Sequence, residues 1–235
     1  MNKKLLLTLI SFAAALPASA TIVWTGGGDT TNFYDDNNWD FTGTIGGGSM
    51  LNPTDDDFQI TGATINEGIA AFTTIQIGDG FSATLDSTSF TFTNNSGFGG
   101  VNDLADIAST LNLNNGSVLS AQYVTQGLTI NIDSTSELII RGGGDGINSQ
   151  TEQTTVNLST GAKLTLNSVD ELIEQADTNG GAIFANGQQV SGANYTNYFT
   201  ITDNGGSITA TTIPEPSSTA LIGLAGLGLI LRRRR

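Results

Sequence analysis

INIDSTSELII, residues 130–140, is the stretch on which the fold turns. Ile130 and Ile132 are apolar and two apart, a polar turn of Asp133, Ser134, Thr135 and Ser136 follows, and apolar residues resume at Leu138. Spacing of two is strand patterning, and the polar break marks a bend between two strands. The same unit recurs in ATLDSTSFTF (residues 83–92), LNLNNGSVL (residues 111–119) and VNLSTGAKLTL (residues 156–166). Aligning the four units on Leu85, Leu113, Ile132 and Leu158 gives separations of 28, 19 and 26 residues. Irregular periods near one coil length point to an all-β chain wound as a right-handed parallel β-helix. Inward side chains of each coil then stack on those above and below. Asn112, Asn131 and Asn157 fall at matching outward positions, where they could form a ladder. The alternative is an antiparallel β-sandwich or jelly roll built from the same strands as hairpins. Asn115-Gly116 and Asn186-Gly187 are hairpin-turn dipeptides and favour that alternative.

One segment breaks the pattern. In SVDELIEQADTNG (residues 168–180), Val169, Leu172, Ile173 and Ala176 recur at helical spacing. Ser168 with Glu171 reads as a capping box, and Asn179-Gly180 as the stop, which predicts one short helix beside the β-core. Near the other end, IVWTGGGDTTNFYDDNNWD (residues 22–40) concentrates Trp24, Phe33, Tyr34 and Trp39. Two readings are open: aromatics that close the end of the core, or a sugar-stacking platform with Trp24 and Trp39 as contacts.

Composition narrows the chemistry. Residues 21–213 hold only Arg141 and Lys163 against 21 of the chain's 22 carboxylates, a net charge of −19. Such a surface repels phosphate backbones and anionic headgroups, so nucleic acid is excluded as a partner. The chain has no Cys and no His, so it lacks disulfides, most zinc sites and every His-dependent triad. Asp35-Asp36, Asp55-Asp56-Asp57 and the GGGDG loop (residues 142–146) offer oxygen ligands, but none matches an EF-hand or the calcium nonapeptide repeat. They read as solvated turns: no cofactor is expected, with calcium the weak alternative. No feature fixes two carboxylates at one cleft as a glycosidase needs. Sequons at Asn94, Asn115, Asn157 and Asn194 are compositional.

Both ends of the chain carry export patterns. MNKKLLLTLISFAAALPASA (residues 1–20) has Lys3 and Lys4, an apolar run, and Ala18-Ser19-Ala20 as a cleavage site with Ala18 and Ala20 at its small positions. That is the make-up of a secretory signal peptide. At the other end, Pro214-Glu215-Pro216 precedes a Ser/Thr spacer, an apolar stub at residues 220–231, and Arg232, Arg233, Arg234 and Arg235. The stub's 12 residues make about 18 Å of helix, short for a bilayer core of about 30 Å. The arginines resist translocation and would hold the end in the cytoplasm. A short, glycine-interrupted hydrophobic helix of this kind suits a temporary inner-membrane tether.

Tripeptide, spacer, stub and arginines together resemble the PEP-CTERM sorting signal of Gram-negative bacteria. That resemblance covers about the last 22 residues. It implies recognition by an exosortase at Pro214, Glu215 and Pro216, with the tail as substrate rather than catalyst. The strand units and the Trp-Thr-Gly-Gly opening resemble the β-helical passenger-like bodies of autotransporters. The expected organisation is a signal peptide (1–20), a secreted β domain (21–213) and a sorting signal (214–235). The expected protein is not an enzyme. It is an exported surface or extracellular-matrix protein associated with exopolysaccharide, whose partners are the secretion machinery and an exosortase. The alternative is a carbohydrate-binding module carrying the same address.

Overall fold

A computed structural model describes residues 21–29, 32–41, 52–69, 73–100, 109–125, 127–143, 146–148, 154–177 and 183–214. Residues 1–20, Asn179-Gly180 and the apolar stub with its arginines lie outside these residues. The described chain begins with β1 (Ile22–Trp24) and β2 (Trp39–Asp40). One turn of a coil follows as β3 (Phe58–Thr61), β4 (Thr64–Glu67) and β5 (Thr74–Ile77). The next is β6 (Ser82–Asp86), β7 (Ser89–Phe92) and β8 (Gly97–Gly100). Then come β9 (Ser109–Asn114), β10 (Val118–Ala121) and β11 (Tyr123–Thr125), and β12 (Leu128–Ile132), β13 (Glu137–Ile140) and β14 (Ile147–Asn148). After β15 (Thr155–Leu158) and β16 (Lys163–Leu166) the coil gives way to α1 (Val169–Asp177). Two hairpins end the described chain, β17 (Ile183–Ala185) with β18 (Gln188–Gln189), and β19 (Phe199–Asp203) with β20 (Ile208–Thr212).

Corresponding strands of successive turns pair in parallel and make three sheets, a β-solenoid. The first sheet runs β3-β6-β9-β12-β15-β17, the second β4-β7-β10-β13-β16, the third β5-β8-β11-β14. The sequence alignment is the structural register: Leu85 pairs with Leu113, Leu113 with Ile132, and Ile132 with Leu158. Their side chains form one inward column, and the adjacent column is Phe58, Ala83, Leu111, Ile130, Val156 and Ile183, all buried. Antiparallel pairing is confined to the ends, at β1–β2, β17–β18 and β16–β20–β19. The sandwich alternative is therefore set aside.

The two Asn-Gly steps divide between the two readings. Asn186 (φ 52°) and Gly187 (φ 78°) turn the β17–β18 hairpin. Asn115 (φ 55°) and Gly116 (φ 80°) have the same left-handed backbone, yet they join β9 to β10 in a different sheet. A tight turn with positive φ serves a solenoid corner as well as a hairpin. Three of the corners between the first and second sheets end in a buried hydroxyl residue: Thr88, Ser117 and Ser136. The backbone N–H of Thr88 donates to Ser117 Oγ (3.0 Å), and that of Ser117 to Ser136 Oγ (3.1 Å), a hydroxyl ladder inside the corner.

The helix falls where its spacing places it, with Leu172 and Ala176 buried. Its cap is shifted by one residue from a true capping box. Ser168 Oγ accepts from the Glu171 N–H (3.1 Å), but Glu171 Oε2 accepts from the N–H of Asn167 (3.0 Å), not of Ser168. Among the described residues no helix is long and apolar enough to cross a membrane.

Glycine is required in the third sheet. Tyr123 pairs with Gly97, which pairs with Thr74. Tyr123 reaches over Gly97 to place its hydroxyl 3.2 Å from Thr74 Oγ1. A Cβ at Gly97 would lie 1.8 Å from the Tyr123 carbonyl oxygen and 3.2 Å from its ring. Gly97→Ala is expected to force β8 and β11 apart and cost about 1–3 kcal/mol, read as a lower urea midpoint. An unchanged midpoint would contradict this packing.

Candidate functional site

Three outward positions of the first sheet repeat in step. They carry Thr110, Asn112 and Asn114 on β9, Thr129, Asn131 and Asp133 on and beyond β12, and Thr155, Asn157 and Ser159 on and beyond β15. Turn-to-turn spacing is about 4.8 Å, and alternate residues of a strand are about 6.6 Å apart, so these residues form a regular polar lattice. The middle row is the ladder read from the sequence. Asn131 Nδ2 donates to Asn112 Oδ1 (3.0 Å), and Asn157 Nδ2 donates to Asn131 Oδ1 (2.9 Å). Each amide spends part of its capacity on its neighbour and is held in one orientation by it.

A furrow of about 470 Å³ runs beside this row. Its floor includes Asn131 and Asn157, and its wall includes Asn114, Asp133, Ser159 and Asn186. The wall residues are corner positions and are partly committed. Asp133 Oδ1 accepts from Thr135 N–H and Oγ1 (both 2.9 Å) and Oδ2 from Asn115 N–H (2.6 Å). Burial pushes the Asp133 carboxyl up, but the hydrogen bonds from Asn115, Ser136 and Thr135 outweigh it and hold it below its ordinary value. Asn186 Oδ1 accepts from Thr160 Oγ1 (2.8 Å), and its Nδ2 donates to the Ile213 carbonyl (3.0 Å). The furrow was not legible as a unit in the sequence; the recurrence of Asn112, Asn131 and Asn157 pointed to its floor residues Asn131 and Asn157 but not to its wall.

Trp24 and Trp39 sit elsewhere. They are 7 % and 5 % exposed and packed edge to face at 5.0 Å. Trp39 also meets Phe33 (5.2 Å) and Phe58 (5.7 Å), and its Nε1–H donates to the Phe33 carbonyl (2.8 Å). The rings close the first end of the core and present no open face to a sugar. The exposed aromatic of that segment is Tyr34.

The described acidic clusters are turn formers, and Asp145 of the GGGDG loop lies outside the described residues. Asp35 Oδ1 accepts from Asn37 N–H (3.0 Å) and Nδ2 (2.8 Å), and Oδ2 from Asp29 N–H (3.1 Å); these bonds lower its pKa. Asp55 and Asp56 accept from Asn52, and Asp57 from Ser82. Among the described residues no three acidic side chains gather as metal ligands. Of the two cations, Arg141 is committed, its Nη2 donating to the carbonyls of Phe92 and Asn94. Lys163 is exposed, beside Glu137 in register.

Pro214 is exposed and follows directly on the folded body. Thr212 ends β20, and Ile213 is still pinned, its N–H donating to the Tyr198 carbonyl (2.8 Å). Glu215, Pro216 and the four arginines, like Ala18 and Ala20, lie outside the described residues. Residues 212–235 match the family model of the PEP-CTERM protein-sorting motif. No curated protein and no solved structure matches the chain.

Proposed function

We propose that this is a non-catalytic structural protein of the cell surface or extracellular matrix, sorted through its C-terminal signal. The PEP-CTERM motif makes it an exported, surface-directed chain and implies processing by an exosortase-type enzyme. The observation that carries the reading is the junction. The motif begins on the last residue of β20, so the last described strand of the body ends two residues before the sorting tripeptide. The described strands of the body are complete before Pro214, so its fold does not draw on the sorting tripeptide for a strand.

The finer parts of the proposal follow from the residue pattern. Residues 1–20 act as a signal peptide cleaved after Ala20. The stub tethers the chain to the inner membrane of a Gram-negative cell until processing, and the released body joins an exopolysaccharide matrix. The polar lattice and the commitment of Arg141 to carbonyl oxygens support a structural rather than a catalytic body. A carbohydrate-binding module is the second reading, and the furrow beside the Asn ladder, rather than Trp24 and Trp39, is what favours it.

Replacing Pro214, Glu215 and Pro216 together by alanine is expected to leave a full-length form in the membrane fraction. The unmodified protein is expected at the surface or in the medium, with an intact mass near that of residues 21–214. Unchanged processing and location in the alanine variant would remove the sorting role.

A further inference from the structure

Asparagine is a poor strand former, yet three occupy the centres of consecutive strands at Asn112, Asn131 and Asn157. The other two sheets show no such repeat. The matching outward row of the second sheet is Ser89, Val118, Glu137 and Lys163, and that of the third is Thr74, Gly97 and Tyr123. Coil stacking alone therefore does not call for the lattice. A local preference broken on one face, in register and with a furrow beside it, marks that face for binding.

We infer that the furrow beside the Asn112–Asn131–Asn157 ladder binds a linear, uncharged polysaccharide lying along the solenoid axis. From Asn114 through Asp133 and Ser159 to Asn186 the wall spans three turn-to-turn steps, about 14 Å. The furrow is open-sided, so it suits a chain that continues past both ends rather than an enclosed small molecule. Each ladder amide keeps hydrogen-bonding capacity beyond its neighbour, and hydroxyl groups, which both donate and accept, match that pairing. Phe184 pairs with Asn157 in the next strand and continues the row as a half-buried ring, an apolar surface for the C–H face of a sugar. Asp133 in the wall and the net charge of −19 on residues 21–213 turn away anionic chains. Ile132 and Leu158 also line the furrow, but a strand-adding peptide would want a free sheet edge, and β12 and β15 beneath it are already paired on both sides. Single contacts of this kind are weak, and repeated engagement along one polymer supplies the affinity.

The inference deepens the matrix reading and rests on it for its setting, but the two can fail separately, because sorting is read in cells and binding on purified protein. The test is native affinity electrophoresis of the exported protein through gels containing dextran, amylose, xylan or glucomannan, with alginate as the anionic comparison. Retardation by at least one neutral chain and not by alginate is expected. The double variant Asn131→Ala, Asn157→Ala should weaken it about tenfold, as expected from two lost hydrogen bonds. Ser159→Arg, which fills the furrow and leaves the ladder intact, should abolish it, and Ser120→Ala on the second sheet should leave it unchanged. The urea midpoint of each variant separates lost binding from lost folding. No retardation by any neutral chain, retardation by alginate alone, or full retention in both furrow variants would overturn the assignment while leaving the sorting proposal standing.

Discussion

Phe90→Ala is expected to lower the free energy of unfolding by about 3–5 kcal/mol and to split one unfolding transition into two. Phe90 is fully buried and joins two groups of rings. On one side it meets Phe92 (5.1 Å) and Phe98 (5.4 Å), the inward residues of the second and third sheets. On the other it meets Phe33 (6.1 Å), which packs against Trp39 and Phe58 in the end cap. Truncation removes the transfer energy of the ring, leaves a cavity, and forfeits edge-to-face contacts of about 0.5–1.5 kcal/mol each.

Solenoid stability is close to a sum of turn energies and nearest-neighbour terms, so weakening the contact between cap and first turns uncouples them. Trp24 and Trp39 are the only tryptophans of the chain, and both lie in the cap. Their fluorescence reports the cap, while far-UV circular dichroism reports the strands. In the unsubstituted protein the two signals should share one urea midpoint. In Phe90→Ala the fluorescence transition should move to lower urea than the dichroism transition. Coincident transitions in the variant, or a loss under about 1 kcal/mol, would contradict the coupling.

The split between what could be read from sequence and what could not has a physical pattern. Leu85, Leu113, Ile132 and Leu158 were legible because strand periodicity and burial coincide at each of them. The Asn ladder was legible for the same reason, one residue out of phase. The corner ladder of Thr88, Ser117 and Ser136 was not, since a hydroxyl in a polar turn looks the same whether it faces water or the next coil. Only the repeated Ser or Thr just before β7, β10 and β13 hints at it. The aromatic opening allowed two readings because Trp serves a core and a sugar site equally well, and burial alone separates them. Asn115-Gly116 shows the limit of turn chemistry: the dipeptide specifies positive φ at two residues, not where the next strand pairs. Glu67 left no trace in the pattern, because a carboxylate at the end of a strand reads as solvent-facing.

Glu67 carries the second large effect. It ends β4 with its side chain turned inward, in register with Phe92, and is 1 % exposed. Its Oε2 accepts from the Phe33 N–H and its Oε1 from the Ile69 N–H (2.9 Å), so one carboxyl ties the aromatic cap to the first turn. Burial is the largest influence on it and raises its pKa, against backbone donors that lower it, and the nearby Asp29 charge adds to the rise. Glu67→Ala leaves the Phe33 and Ile69 N–H groups without this acceptor, at about 1–3 kcal/mol for each.

The sign of the pH dependence follows from the raised pKa. In the unfolded chain Glu67 ionises near its ordinary value of 4.5; in the folded protein it holds its proton to higher pH. Between those two values the folded state binds more protons, so stability falls as pH rises. Glu171, also raised mainly by burial, acts in the same direction. Asp35 and Asp133, both lowered, act oppositely and withdraw stability only as pH drops below about their ordinary 3.8. The unfolding free energy should therefore peak in mildly acidic solution and decline toward neutrality. Glu67→Gln, which cannot ionise and keeps one carbonyl acceptor, should flatten that decline. Glu67→Ala should lower the whole curve by several kcal/mol, with the tryptophan signal moving first. Urea midpoints measured from pH 4 to pH 8 would decide it. A stability that rises steadily through that range in the unsubstituted protein, or a Glu67→Gln curve parallel to it, would remove Glu67 as the ionisable pin between cap and coil.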